Sequence, residues 1–336
     1  MNQSEYQEAS APARADLAGG TLDLWPLHVL HPGSVTVNLA IGLRASCRVR
    51  PSRQGFRVIS RDSGFEAAAE SPAGLLANPR AALVGSLLEA LAIAEPLEIQ
   101  VRSAVPFGSG LGGSSALVVA LLGALAPRAE RDLSRASQVE LVRDVETRVL
   151  GKPAGVQDYY PPLEGGLHRI AFEPGETRAE RDEVDPLLWD QHITLFDTGA
   201  AHSSGLNNWE IFRARLEGDA QVADRLERVR KAARGMAKAA RTLDFEQMGA
   251  ALAEEWEARR ELAPVVSSPL IERAIAAARA AGAWGGKACG AGGGGCVVFL
   301  SPEEKTAGVR AALGDVGEGS VLPVTAENRG LAVGAS

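Results

Sequence analysis

A glycine-rich segment between a strand pattern and a helix pattern constrains this chain more than any other feature. Residues 106–116 read Pro-Phe-Gly-Ser-Gly-Leu-Gly-Gly-Ser-Ser-Ala, after a strand-like run at 97–101 and before an apolar helical run at 116–125. Four glycines allow a tight turn whose successive N–H groups converge, and the following helix adds the positive end of its dipole. The segment predicts an anion site, and phosphate is the usual anion there.

Three other interpretations of this segment compete with a nucleotide-triphosphate loop. Gly108, Gly110 and Gly113 have the spacing of a dinucleotide fingerprint. That motif needs a second strand that ends in an acidic residue, but residues 126–131 are polar and turn-like. A Walker loop ends in Gly-Lys-Ser/Thr, and this segment has no lysine. Taken alone, the segment is also consistent with a glycine turn whose serines only cap the helix.

A second glycine loop lies far along the chain. Residues 285–296 read Gly-Gly-Lys-Ala-Cys-Gly-Ala-Gly-Gly-Gly-Gly-Cys and connect a helical run at 271–281 to a strand-like run at 297–300. Seven of these twelve residues are glycine, and each glycine costs conformational entropy on folding. A run of this kind, with clear patterns on both sides, indicates a backbone that another group approaches closely rather than a flexible linker.

Together with two further segments, these loops resemble the motifs of the GHMP kinase family, which includes galactokinase, homoserine kinase, mevalonate kinase and phosphomevalonate kinase. Residues 11–23 (Ala-Pro-Ala-Arg-Ala-Asp-Leu-Ala-Gly-Gly-Thr-Leu-Asp) are similar to the first motif of the family. Residues 155–159 (Gly-Val-Gln-Asp-Tyr), followed by Glu-Gly-Gly at 164–166, are similar to its catalytic-aspartate segment. The order of the four segments matches the family along nearly the whole chain, which makes the resemblance specific.

The resemblance implies an α+β fold of two domains. An N-terminal β/α domain is expected at 11–183, and a C-terminal, ferredoxin-like domain with helices on a sheet at 184–336. The length of 336 residues exceeds the usual size of a single core. Residues 173–185 are charged and contain proline and glycine, so the boundary is predicted there. Further patterns predict strands at 34–40, 45–49, 55–60, 167–172 and 192–196, and helices at 80–93, 137–150 and 208–260, the last interrupted near 218 and 242.

The resemblance also implies phosphoryl transfer from ATP. The residues implied to bind ATP are Gly108, Ser109, Gly110, Leu111, Gly112, Gly113, Ser114 and Ser115. Ser115 and Glu146 would hold Mg²⁺, for which a hydroxyl and one carboxylate suffice because the ion keeps waters and phosphate oxygens. Asp158 is the predicted base or positioning group for the attacking hydroxyl. Arg14 would keep Asp158 ionised and neutralise charge that grows on the γ-phosphate.

The residues that the resemblance places at the substrate are Asp23, Lys287, Gly292 and Gly293. Without the resemblance, Asp23 and Lys287 would be interpreted as members of surface ion pairs, and Glu146 as a solvated carboxylate on an amphipathic helix. Trp25, His28 and His31 follow Asp23 in the loop that we expect near the substrate.

Within the family, the chain looks most like the D-glycero-D-manno-heptose 7-phosphate kinases, with which it shares Ala-Pro-x-Arg, a Gln-Asp pair and a Thr-Gly…Ser-Ser segment at 198–204. It lacks one glycine of their first motif, has Leu22 before Asp23, and carries His202 where an arginine often precedes the two serines. The acceptor is therefore predicted only as a sugar or sugar phosphate. The loop at 21–33 contains no lysine or arginine, which argues against a small acid such as mevalonate or homoserine.

Composition limits the partners and the location. A net charge of −7 argues against a nucleic acid or an anionic membrane as partner. No apolar run is long enough to span a membrane, and the polar start Met-Asn-Gln-Ser-Glu does not resemble a signal peptide. Cys47, Cys289 and Cys296 lack metal spacing and indicate reduced thiols. We expect a cytoplasmic monomer or homodimer that binds ATP, Mg²⁺ and a small molecule.

An aspartic protease is the rival from another enzyme class. Asp62 and Asp197 each begin an Asp-Ser/Thr-Gly triplet, as in the two halves of such proteases. That fold is almost entirely β, whereas residues 208–260 are patterned as helix through most of their length. Two alternatives keep the kinase fold: an enzyme for a non-sugar alcohol such as mevalonate or homoserine, and a non-catalytic sugar-binding protein.

Overall fold

The computed structural model describes residues 6–129, 132–200 and 204–335 of the chain. Its strands in chain order are β1 (Gln7–Ala18), β2 (Ser34–Pro51), β3 (Phe56–Ser60), β4 (Phe65–Ala69), β5 (Leu97–Ser103), β6 (Leu167–Glu173), β7 (Glu176–Asp182), β8 (Ile193–Asp197), β9 (Gly285–Ala288), β10 (Cys296–Leu300), β11 (Ser320–Leu322) and β12 (Ala332–Ala335).

The helices alternate with these strands along most of the chain. They are α1 (Leu27–Leu30), α2 (Pro72–Leu76), α3 (Ala82–Ala90), α4 (Gly113–Leu125), α5 (Arg135–Leu150), α6 (Tyr160–Glu164), α7 (Pro186–Asp190), α8 (Ser204–Leu216), α9 (Ala220–Ala240), α10 (Phe245–Arg259), α11 (Pro269–Ala280) and α12 (Glu303–Gly314). None of the described helices combines the length and the apolar character that a membrane crossing requires.

An eight-stranded sheet forms the first layer of the N-terminal half. Its strand order is β12-β1-β2-β5-β3-β4, and β6 pairs with β2 and β7 with β6. The long strand β2 pairs with β5 along its second half and with β6 along its first half. The predicted strands at 34–40 and 45–49 are therefore one continuous strand. Helix α4, whose residues 118–122 are all buried, packs on β1 and β2.

A second sheet has four antiparallel strands in the order β11-β8-β10-β9. We call this sheet and the helices that pack on it the second core. Every residue of β10 is buried, as expected for a strand covered on both faces. Helix α10 packs on β9 and β10 and also on α9. Asp219 and Asp244 cap the starts of α9 and α10, so the predicted interruptions near 218 and 242 separate three helices. This arrangement confirms the predicted α+β fold.

Two segments form strands that their sequence patterns do not indicate. Within residues 173–185, Glu176–Asp182 form β7, a charged edge strand that Arg169 on β6 holds through Glu180 and Asp182. An edge strand exposed to solvent carries no hydrophobic alternation, so its pattern resembles that of a loop. Residues 285–288, predicted as glycine loop, form β9, because Gly286 leaves room for the ring of Phe299 on β10.

The last strand returns to the sheet of the first half. Strand β12 pairs with β1, and Ala326 bridges to Ile41 on β2. The chain passes from the first sheet to the second between β7 and α7, where the boundary at 183/184 is predicted. The division at 11–183 and 184–336 stays a prediction, and the pairing of β12 places the C-terminal residues beside the N-terminal ones.

Candidate active site

The first glycine loop connects β5 to α4 and leaves the start of the helix open. Gly108, Gly110 and Gly112 all have positive φ, between 70° and 73°, a conformation that favours glycine. Gly112 is the N-cap residue of α4 and has no side chain to accept from the first-turn N–H groups. Those donors and the helix dipole face the same side, so the loop suits an anion such as phosphate.

The two serines at the start of α4 do not cap it. The hydroxyl of Ser114 donates to Oε1 of Glu146 over 2.6 Å, and that of Ser115 to Oε2 over 2.8 Å. The Tyr159 hydroxyl also hydrogen-bonds Glu146. Burial raises the pKa of Glu146, and these hydrogen bonds oppose the shift. The interpretation of the serines as helix caps is thus not what the structure shows.

The pair predicted to hold Mg²⁺, Ser115 and Glu146, is brought together beside the anion site. Both side chains are buried, and they offer a hydroxyl and a carboxylate, which are hard oxygen ligands. Within the described ranges, no cluster of three or more His, Cys, Asp or Glu side chains could hold a metal by itself. The donor set therefore fits an ion that takes its remaining ligands from phosphate oxygens and water.

Arg14 connects the glycine loop to Asp158. Its Nη1 donates to the main-chain oxygen of Gly110 over 2.5 Å, and its Nε and Nη2 lie 2.8 Å from Oδ1 of Asp158. Burial alone would lower the pKa of Arg14, but the carboxylate of Asp158 outweighs it and raises the pKa. The side chain of Arg14 is 3% exposed, whereas that of Asp158 is 29% exposed. Asp158 is thus the member of the pair that a ligand entering from solvent can reach.

Asp23 lies beside Asp158 in a buried position. Its Oδ2 accepts from the main-chain N–H of Gln157 over 3.2 Å. Burial, followed by the charge of Asp158, raises the pKa of Asp23 to about 7. The structure therefore brings together two predicted site residues, Asp23 and Asp158, on the two motifs at 11–23 and 155–159.

The loop after Asp23 is more basic than its own sequence indicates. Arg215 on α8 donates to Nε2 of His31 over 3.0 Å, and Arg230 on α9 donates to the main-chain oxygen of Pro32. Nη1 of Arg234 lies 2.9 Å from the position of a Cβ on Gly33. The argument that this region lacks a cation is therefore wrong, because helices distant in sequence supply the guanidinium groups.

The aromatic and histidine side chains of this loop differ in exposure. Trp25 is 72% exposed, whereas His31 is buried. His28 stacks on the ring of Phe172. Burial lowers the pKa of both histidines, and the charge of Arg215 adds to this at His31. The two imidazoles are therefore neutral at pH 7.

The second glycine loop packs against the first. The main-chain N–H of Cys296 donates to the oxygen of Ser109 over 2.7 Å, and a Cβ on Gly290 would lie 3.2 Å from Gly110. The predicted substrate glycines lie against a neighbouring turn instead: Gly293 donates to the oxygen of Val266 over 2.6 Å, and a Cβ on Gly292 would overlap with that oxygen. Their contact with a substrate stays a prediction.

Lys287 is not at an accessible surface, which corrects its predicted contact with substrate. Its side chain is fully buried, and Nζ lies 3.0 Å from Oδ1 of Asp16 and 3.1 Å from Oε1 of Glu255. It also donates to the main-chain oxygen of Asp16 over 3.2 Å. The ammonium group is thus enclosed by two carboxylates and a main-chain oxygen inside the protein. Arg259 pairs with the same glutamate.

The sequence predictions missed Asp16, Glu255 and Arg259. Asp16 interrupts the apolar residues of β1, and Glu255 and Arg259 are four residues apart on α10. A charged residue inside an apolar strand pattern is a sign of a buried partner, but the partner of Asp16, Lys287 on β9, lies 271 residues away. A single sequence gives no signal that joins the two.

Some predicted features lie elsewhere. His202 and Ser203 fall outside the described residues. Asp62 and Asp197 belong to different sheets: Asp62 follows β3 in the first sheet and bonds Ser60, while Asp197 ends β8 in the second. An aspartic-protease pair, which needs two adjacent carboxylates, is excluded.

Two family models match this chain. Residues 80–166 match the family model described as GHMP kinases N terminal domain, and residues 236–319 match the model described as GHMP kinases C terminal. Together the two matched regions make up about half of the chain.

The chain is 27% identical over 309 residues to D-glycero-alpha-D-manno-heptose 7-phosphate kinase of Campylobacter jejuni. The aligned region covers 88% of this chain and 89% of the relative. The chain is 29% identical over 303 residues to mevalonate kinase of Methanothermobacter thermautotrophicus, with 88% and 90% covered. The crystal structure of a D-glycero-D-manno-heptose 1-phosphate kinase from Bacteroides thetaiotaomicron shares the fold, with a TM-score of 0.76, 22% identity and 98% of both chains covered.

Proposed function

This chain belongs to the GHMP kinase family, and we propose that it transfers the γ-phosphate of ATP to a hydroxyl of a sugar or sugar phosphate. That it is an ATP-dependent phosphotransferase with an alcohol acceptor follows from the family itself. The proposal concerns the acceptor, the metal and the residues that act. One observation carries it: Arg14 contacts the glycine loop at Gly110 and the partly exposed carboxylate of Asp158 at the same time.

The first glycine loop would hold the phosphates of ATP, with Arg14 beside them. Phosphoryl transfer depends on positioning and on neutralising charge at the transferred group. Arg14 is buried and its charge is maintained by Asp158, so its field acts in a region of low dielectric constant. The guanidinium group therefore supports charge development on the γ-phosphate and fixes Asp158 in the same step.

Asp158 is the group proposed to receive or orient the acceptor hydroxyl. Its Oδ1 is engaged by Arg14, which fixes the direction of the carboxylate. A carboxylate in this state orients an acceptor O–H towards the phosphate and takes its proton as the new O–P bond forms.

Ser115 and Glu146 are proposed to hold Mg²⁺ against the phosphates. When bound there, Mg²⁺ neutralises charge on the β- and γ-phosphates. Glu146 is hydrogen-bonded by Ser114, Ser115 and Tyr159, and these contacts fix the direction of its carboxylate before any ligand arrives.

A sugar acceptor is supported by Asp23. The carboxyl group of Asp23 can form hydrogen bonds with neighbouring hydroxyls, which suits a polyol. The heptose 7-phosphate kinase relative supports the same class. The mevalonate kinase relative supports the alternative of a non-sugar alcohol, so the two must be compared directly.

A phosphate on the sugar is compatible with the loop after Asp23. Arg215, Arg230 and Arg234 approach this loop from α8 and α9. Arg230 is paired with Glu227 and Arg215 contacts neutral His31, so part of this positive charge is available to an anionic group. Guanidinium groups bind phosphate well, and a sugar phosphate is therefore included in the proposal.

The test is a screen of ATP consumption with Mg²⁺ against sugars, sugar phosphates, mevalonate and homoserine, with ADP formation as the readout. The proposal expects turnover with at least one sugar or sugar phosphate. Turnover with mevalonate or homoserine and with none of the sugars would overturn the acceptor class and leave the kinase assignment intact. Tight sugar binding by calorimetry without any ADP formation would favour the non-catalytic alternative.

A further inference from the structure

The turn that carries Asp23 has a backbone that its own sequence does not favour. Gly19 has a φ of 86° and Thr21 a φ of 79°. Positive φ is a marked outlier for a β-branched residue such as threonine. A conformation of this kind persists only where the surroundings over-determine it, and such positions concentrate at ligand clamps.

Four fully buried charged residues surround this turn, and we call them the buried quartet: Asp16, Glu255, Arg259 and Lys287. Asp16 lies on β1, just before the turn, whereas the other three lie on α10 and β9 of the second core. Lys287 joins Asp16 to Glu255, and Arg259 joins Glu255 to the turn. The quartet thus crosses the junction between the two sheets.

The quartet binds the turn at three successive residues. Oε2 of Glu255 accepts from the N–H of Gly19 over 2.7 Å. Nη2 of Arg259 donates to the main-chain oxygen of Gly20 over 2.6 Å, and Nη1 donates to the hydroxyl of Thr21 over 3.3 Å. That hydroxyl in turn donates to Oδ1 of Asn208 on α8 over 2.9 Å.

The charges of the quartet balance. Two carboxylates face two cations. Burial alone would raise the pKa of Asp16, but the charges of Lys287 and Arg259 outweigh burial and lower this pKa. A buried ion pair contributes little net stability compared with apolar packing of the same volume. Its retention is explained better by geometry, because Glu255 and Arg259 bond the backbone of the turn. Lys287 is paired with Glu255, and Asp16 is paired with Lys287.

We propose that the buried quartet is a set of positioning residues for the acceptor: it holds the strained turn at 19–21 so that Asp23 presents its carboxylate beside Asp158. The inference rests on the proposed role of Asp23 in acceptor binding. It gives Lys287 a function without contact to substrate, and it makes acceptor binding dependent on α10 and β9. ATP binding at the first glycine loop does not pass through these contacts.

Arg259→Lys is the discriminating variant. It retains the charge, so the electrostatic balance of the quartet is kept, but an ammonium group cannot span Glu255, Gly20 and Thr21 as a guanidinium fork does. We expect the KM for the acceptor to rise about tenfold or more, with the KM for ATP within about twofold of wild type. Arg260→Lys is the matched control, since the neighbouring Arg260 pairs with Glu257 and Glu272 on the outside of the helix.

Hydrogen–deuterium exchange gives a readout that needs no acceptor. Arg259→Lys should accelerate exchange in the peptide that covers residues 17–25 and leave the peptide at 106–116 unchanged. If wild type uses no sugar, the proposed function fails while this readout still tests the quartet. Faster exchange at 17–25 supports the quartet in that case.

Asn208→Ala provides a second variant should Arg259→Lys fail to fold. Asn208 is only partly buried, so its removal loosens the hydroxyl of Thr21 without an unpaired buried charge. The expected result is again faster exchange at 17–25 and a raised acceptor KM. Unchanged exchange at 17–25 together with an unchanged acceptor KM in Arg259→Lys overturns the proposal. An unchanged acceptor KM in Asn208→Ala despite faster exchange at 17–25 overturns it as well, because the conformation of the turn would then not govern Asp23.

Discussion

The carboxylate of Asp23 occupies the space in which a side chain on Gly155 would begin. A Cβ on Gly155 would overlap with Oδ2 of Asp23, and the carboxylate also accepts from Gln157, two residues further on. The glycine of the Gly-Val-Gln-Asp segment is therefore required by close approach of another side chain and not by its own φ. The first motif and the aspartate segment interlock at this point.

Gly155→Ala is expected to displace the carboxylate of Asp23 and raise the KM for the acceptor about tenfold, because a hydroxyl-binding group moves by more than a hydrogen bond tolerates. The KM for ATP should stay within about twofold. Steady-state kinetics with both substrates varied measures the two constants. Gly308→Ala on α12 is the control, since its Cβ would meet no atom within 4 Å in the described part of the chain. An unchanged acceptor KM in Gly155→Ala would contradict the role of Asp23.

Ser115→Ala should weaken catalysis through the metal. The hydroxyl lies 2.8 Å from Glu146, and its loss would remove one of the two proposed protein ligands of Mg²⁺. Half-maximal activity should therefore require a higher Mg²⁺ concentration, and activity should recover in part at high Mg²⁺. Titration of kcat against Mg²⁺ measures this.

The control is Ser86→Ala, at a buried serine on α3 outside the site. Ser115→Ala should lose about 1 kcal/mol of stability through its hydrogen bond to Glu146. Ser86→Ala should lose none, because the Ser86 hydroxyl has no hydrogen-bond partner in the described part of the chain. The metal role is rejected if Ser115→Ala and wild type have superimposable Mg²⁺ titrations.

The pH dependence of stability should report Asp23. Its pKa is raised from 3.8 to about 7, so the folded protein binds this proton more tightly than the unfolded chain does. Unfolding then releases a proton between about pH 4 and pH 7, and stability falls as pH rises through that window. Asp23→Asn does not ionise, and its free energy of unfolding relative to wild type should rise by up to about 3 kcal/mol from pH 5 to pH 8.

Urea unfolding of both proteins across this pH range measures the difference. A difference that stays constant with pH would show that Asp23 is ionised throughout. The same variant should lose acceptor affinity at pH 8, where the wild-type carboxylate is charged, and differ less from wild type at pH 5.

Patterns within one segment were enough to predict much of the fold. The predicted interruptions near 218 and 242 are correct because Asp219 and Asp244 cap the helices that follow them. The glycine loop before α4 was predictable because tight turns and helix starts are local features. Strand β9 was not, because Gly286 and Lys287 gain strand geometry only from pairing with β10.

The part of the site that sequence could not reveal is made of long-range pairs. Arg14 and Asp158 were joined only through resemblance to a family, and Glu255 and Arg259 were not identified at all. The contact of Lys287 with substrate is likewise predicted only through the resemblance. Burial on both faces of β9, which decides its role, depends on α10 packing over that strand.

The most direct test of the central claim is the turnover of Asp158→Asn with the best acceptor from the screen. With ATP and Mg²⁺, kcat is expected to fall by about 10²-fold or more while the KM for ATP changes little, because the variant keeps the shape and loses the charge that Arg14 holds in place. Asp144→Asn, at an exposed position on α5, should behave as wild type. Near-normal kcat in a correctly folded Asp158→Asn protein would contradict the account.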